Sequence, residues 1–181
     1  MVDALGNSTQ EQELLRAIAL WAADCAEQAV RIFEGRVPDD PRPRAAVEAA
    51  RAFGRGARRD QQLRIVALAA MRAGRGTDDP CRHAARAATL TAAVAYTHTD
   101  LQTGLPGVRQ ARHVLGPVVH TALACRSADG PDVGDDVMSR AVQTAPEAVS
   151  RVLAYLPRQP AGHNPVDRRF AELDAALRAP R

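Results

Sequence analysis

Apolar residues in this chain recur every three or four positions and almost nowhere every second one. Leu14, Leu15, Ile18, Trp21, Cys25, Ala29 and Ile32 keep the spacing of one helical face, which predicts a helix over about 9–34 that stops at Gly35. Ser8 with Glu11 forms a capping box at its start. The same punctuation divides the rest. "VPDDPRPRAAVEAARAFGRG" reads as loop, cap and helix, with Asp40 as N-cap, Pro41 in the first turn, and Gly54 and Gly56 as the stop.

A third helix is predicted over about 57–73, closing at Gly74, and a fourth from Asp79 as cap and Pro80 as first helical residue to about His98. A fifth spans about 106–127. Asp135 or Asp136 caps a sixth that runs to about Thr144, while Thr144, Pro146 and Glu147 signal a seventh, and Asn164 with Pro165 starts the eighth. No segment alternates as a strand does, and no fixed-period repeat is visible. The expectation is an all-α, compact single domain over 1–181: a bundle of seven or eight helices, the first five long and the last three short, with flexible ends at 1–7 and 179–181.

Composition sharpens this picture. With 181 residues the chain buries roughly two thirds of its unfolded surface without needing a staple. Aromatic content is 3%, so the core must be built from Ala, Leu and Val at close interhelical distances. All 24 basic residues are arginine, which reads first as the coding bias of a GC-rich genome. The net charge is only +3, with acidic residues spread among the arginines, so most of that basic content reads as a solvated face. Cys25, Cys81 and Cys125 are odd in number and show no CxxC pairing, which fits reduced thiols and a cytoplasmic location. The start "MVDALGNSTQEQ" lacks a leader pattern, no apolar run is long enough to span a membrane, and no membrane partner is expected.

Candidate chemistry concentrates in "AYTHTDLQTGLPGVRQARHVLGPVVH", which holds Tyr96, His98, Asp100, His113 and His120. His113 and His120 are two helical turns apart and share a face, and a short connection makes the fourth and fifth helices antiparallel neighbours. His98 and His113 are therefore expected to face each other, with Tyr96 and Asp100 at the same corner. The structural alternative is a set of histidines that only satisfy hydrogen bonds. Three histidines without a fixed carboxylate are a loose zinc pattern, and neither a metal nor a cofactor is expected. His83 and His163 read as surface residues.

Trp21, with Cys25 one turn on, reads first as core, with a place in a binding pocket as the alternative for both, while Asp24, Glu27, Asp39, Asp40, Arg42 and Arg44 read as capping and salt-bridge residues. Arg51, Arg55, Arg58, Arg59 and Arg64 form a basic ridge that suits phosphates or an acidic partner. No aromatic residues are interleaved for base stacking, so nucleic acid is an unexpected partner. Phosphate loops, HExxH and GxSxG are all missing from the sequence, which counts against the familiar enzyme classes.

On these residues the chain resembles a bacterial helical family of immunity proteins of polymorphic toxin systems, members of which also carry the label of exonuclease subunit. The likeness lies in "WAADCAEQAVRIFE", "PDDPRPRAAVEAARAF", "CRHAARAATLTAAVAYTHTD", "RQARHVLGPVVHTALA" and "VDRRFAELDAALR". Matching positions include Trp21, Cys25, Glu27, Asp40, Arg42, Arg44, Tyr96, His98, His113 and His120. Two departures are the Gly/Pro-rich "THTDLQTGLPGV" and Pro117 inside a helix, where a bend can open a pocket.

The resemblance implies a compact all-α cytoplasmic protein that binds and neutralises a cognate toxin, and it brings no agreed catalytic residues; a monomer or homodimer is expected. The alternative is a small-molecule binder or enzyme of specialised metabolism, using a pocket between the fourth and fifth helices. A non-specific nucleic-acid binder is the third reading.

Overall fold

The computed structural model describes residues 6–179, with side chains from residue 9 onward. Among these residues the fold consists of eight α-helices and one short 3-10 turn, with no strand. In chain order they are α1 (Gly6–Arg36), α2 (Arg42–Gly54), α3 (Gln61–Ala73), α4 (Asp79–Ala93, continued by the 3-10 turn Val94–Tyr96), α5 (Gly104–Asp129), α6 (Pro131–Thr144), α7 (Glu147–Tyr155) and α8 (Pro165–Arg178). The all-α class is as the sequence predicts, and eight is the upper of the two helix counts it allows.

The lengths grade differently from the expectation. Only α1 and α5 are long, at 31 and 26 residues, while α2 and α3, at 13 each, are no longer than α6 and α8 at 14. Of the ends expected to be flexible, Gly6 and Asn7 belong to α1 and Ala179 closes α8, and residues 1–5 and 180–181 lie outside the described residues. The side chain of Ser8 lies outside them too. Glu11, its expected capping partner, instead accepts from the backbone N–H and the hydroxyl of Thr99, at 3.3 and 2.5 Å.

Local chemistry sets the other boundaries. The third helix begins at Gln61 rather than near 57 because Asp60, in extended backbone, accepts from the N–H of Gln62. Asp78 rather than Asp79 caps α4, accepting from the N–H of Cys81. Asp40 sits one residue before the observed cap position, Pro41, and its carboxylate takes the N–H and guanidinium of Arg42. The sixth helix starts well ahead of Asp135. Gly130, at φ +111, reverses the chain and Pro131 supplies the first turn. Asn164 caps α8 as expected.

Three helices, α1, α4 and α5, pack on one another at the centre; α2 and α3 cover one side, and α6 and α8 lie on α5. The seams are alanine: Ala19, Ala22, Ala26 and Ala29 on α1, and Ala84, Ala85, Ala88 and Ala92 on α4, are all buried. Small side chains bring the backbones close, and Phe33, Phe53 and Phe170, all fully buried, fill the wider gaps. Gly116 lets α5 close on α4, since a Cβ there would stand 2.2 Å from the Cδ1 of Leu90. Pro117 follows it within an α5 assigned as one continuous helix, its ring buried.

Candidate functional site

The corner between α4 and α5 is built where helical hydrogen bonding runs out. The 3-10 turn carries Tyr96, whose hydroxyl donates to the carbonyl of Asp60, the residue that caps α3. The guanidinium carbon of Arg64 lies 4.4 Å from the centre of the Tyr96 ring and that of Arg59 lies 5.8 Å from it, so two cations rest on one aromatic face system. Tyr96 thereby ties the hairpin to the start of α3.

His98 is exposed, its backbone N–H donating to the side chain of Gln110 and its Nδ1 lying 3.9 Å from a carboxylate oxygen of Asp100. His113 lies deeper. Burial lowers its pKa below the ordinary histidine value and the neighbouring charge of His98 lowers it further, while its Nδ1 is buried without a hydrogen-bond partner. The two histidines are thus electrostatic neighbours with no hydrogen bond between them.

His120 serves a different neighbour. Its Nδ1 lies 3.0 Å from the Nδ1 of His83, the rings stack with centroids 5.2 Å apart, and Phe170 meets His120 edge-on at 5.9 Å. One ring must donate and the other accept, so the pair requires at least one neutral imidazole. Burial, then the charges of His83, Arg86 and Arg112, pushes the pKa of His120 down to about 3. His83, expected at the surface, is half-buried in this contact, and its own pKa is lowered, first by burial and then by Arg86. His163 is exposed as expected. Acid and base roles call for a group that can reach a ligand, and this pair is turned inward, between α4, α5 and α8.

The roomy concavity lies elsewhere, between α1 and the α6–α7 side. A groove of about 850 Å³ is lined by Trp21, Cys25, Asp24, Gln28, Arg31 and Arg140, among others. Trp21 forms its floor and donates its indole N–H to the carbonyl of Ala141 at 3.3 Å. Burial, with Asp24 adding to it, pushes the Cys25 thiol up to about 12, which leaves it protonated and a poor nucleophile. Cys81 and Cys125 are likewise raised to about 11, mainly by burial. No group of three or more histidine, cysteine or carboxylate side chains gathers as a metal site among the described residues.

The arginines of the expected ridge divide. Arg51 is drawn into a carboxylate network, with its guanidinium 3.1 Å from each of Asp24, Glu27 and Glu48. Arg44 completes that network against Glu27 at 2.9 Å and Glu34 at 2.8 Å. Burial alone would raise the pKa of Glu27, but the hydrogen bonds and charges of Arg44 and Arg51 outweigh it and lower the value. Arg44 is held above its usual range by the hydrogen bonds it donates to Glu34 and by those it donates to Glu27. Arg59 and Arg64 hold Tyr96, and Arg55 and Arg58 project into solvent.

Two features escape sequence reasoning. His83 meets His120 only because α4 and α5 run antiparallel in one particular register. The other is a row of outward apolar side chains on α3, Ile65, Leu68 and Met71. Its trace in the sequence is a surplus, since "LRIVALAAM" carries more large apolar residues than one buried face can use.

A family model described as "Imm-5 like putative immunity protein" matches residues 7–102, from α1 through the 3-10 turn and into the connection before α5. The first three of the five quoted segments fall inside that match and the last two lie beyond it. No curated protein and no solved structure matches the chain.

Proposed function

Because the chain belongs to the Imm-5 like immunity protein family, we propose that it binds a toxin protein and neutralises it by occupying its surface. The family match over residues 7–102 carries this reading. The chemistry of the molecule agrees with it: the buried histidines face each other or sit without partners, the cysteines are held as thiols, and α4 and α5 close on each other where an enzyme pocket was one expectation. Binding by shape and charge needs none of these groups to react.

The test is co-expression with each candidate toxin domain found among the genes that flank the one for this chain. Protection of growth, together with a complex that co-purifies at physiological salt, is the expected result. A toxin that kills equally with and without the chain contradicts the proposal.

A further inference from the structure

We propose that the outward face of α3, centred on Leu68, is the docking surface for an acidic protein partner. This deepens the toxin-binding reading and rests on it for the partner's identity as a toxin. The inner face of α3 uses Leu63, Ala67, Ala70 and Ala73 against α2 and α4. On the opposite side Leu68 is 51% exposed, Ile65 three residues earlier 51%, and Met71 three residues later 48%. One exposed apolar residue is ordinary on a soluble surface, but three sharing the outward face of one helix form a patch.

Charge decides what fits it. Arg64 and Arg72 stand one turn to either side of Leu68, and Arg58 and Arg75 are exposed in the segments just before and after the helix. Among the described residues none of these four is in ion-pair contact with a carboxylate, whereas Arg44 and Arg51 on the neighbouring edge are saturated with them. Arg64 is held in place by the Tyr96 ring, so part of its ordering entropy is lost before any partner arrives. An apolar centre flanked by guanidinium groups that no carboxylate neutralises matches a surface with an apolar centre and a carboxylate rim.

Phosphates would leave Ile65, Leu68 and Met71 without a role, and α3 presents no aromatic ring for a base to stack on. A second copy docked through the same face would set one arginine row against the other. The α3 helix also lies within the segment that the family model matches.

The test titrates the full chain with a fluorescent amphipathic helical peptide having a leucine face and glutamate flanks, read by anisotropy. A lysine-flanked version and a duplex DNA serve as comparisons. The glutamate peptide is expected to bind about tenfold or more tighter than the lysine peptide, and Leu68→Glu and Arg72→Glu are each expected to weaken it by about tenfold with unchanged circular dichroism. Equal binding of both peptides, or binding unchanged in both variants, overturns the proposal. A duplex that binds more tightly than the peptide at about 0.15 M salt assigns the face to nucleic acid instead. A dimer dissolved by Leu68→Glu assigns it to self-association.

Co-expression separates this inference from the function it rests on. A wild-type chain that fails to protect removes the toxin reading and leaves the titration to judge the face. A wild-type chain that protects, with Leu68→Glu and Arg72→Glu protecting equally, overturns the face alone.

Discussion

The α1–α2 edge and the outward face of α3 are both rich in arginine, yet they are built to opposite ends. On the first, Arg44 and Arg51 are partly buried and share Glu27, Glu34 and Glu48, so their charge is spent inside the molecule. On the second, Arg58, Arg72 and Arg75 are exposed and share their surface with large apolar side chains. Arginine content therefore says little about function until each guanidinium is assigned a partner. A paired arginine contributes to the fold, and an unpaired one beside exposed leucine is available to another molecule.

Removing the hub of the paired edge should give the largest effect. Glu27→Ala leaves two part-buried guanidinium groups without their shared acceptor and should cost about 2 kcal/mol, after allowance for partial exposure, as read by denaturant unfolding. Toxin or peptide binding should be unchanged. A loss of binding at full stability would break the comparison, because the paired edge would then be the one that docks.

Acid provides the next test, and it should act on the interior before either surface. The unfolded chain binds protons at its histidines near pH 6.5, whereas folded His120 does so only at about 3, and His83 and His113 are also lowered. The unfolded state thus holds more protons in this window. Stability should be fully present above pH 6.5 and fall as the pH drops, by about 1.4 kcal/mol per pH unit for His120 alone. Urea midpoints at pH 7.5, 6.5 and 5.5 read this. A stability that stays flat to about pH 5 would contradict the inward, neutral histidine pair.

The smallest effect on folding belongs to the open face. Leu68→Ser and Met71→Ser should each change stability by less than about 0.5 kcal/mol, since neither side chain is part of the core. A cost above about 2 kcal/mol would mean that α3 is covered from within the molecule.

Much of the fold is legible from local signals. Asn164 with Pro165, Gly74, and the Thr144–Glu147 segment mark helix ends through backbone chemistry that acts within a few residues. Misses occur where the deciding contact is distant or the candidates are adjacent. Asp78 and Asp79 compete for one cap, and Gly134 can be helical because its missing Cβ admits the carbonyl of Ala122 from α5, which would lie 2.7 Å from that atom. The candidate site divides along the same line. His98 acts on His113 only through its charge, whereas the pairing of His120 with His83 depends on interhelical register. The α3 patch was hidden because hydrophobic spacing does not say which face a peripheral helix turns outward.

The most direct test of the account is hydrogen–deuterium exchange of the full chain, alone and in complex with whichever toxin domain co-expression identifies as its partner. The account predicts new protection over 58–76, which holds α3 and its flanking arginines, with little change over 24–51 on the paired edge. Protection confined to 24–51, or to the groove floored by Trp21, would contradict it.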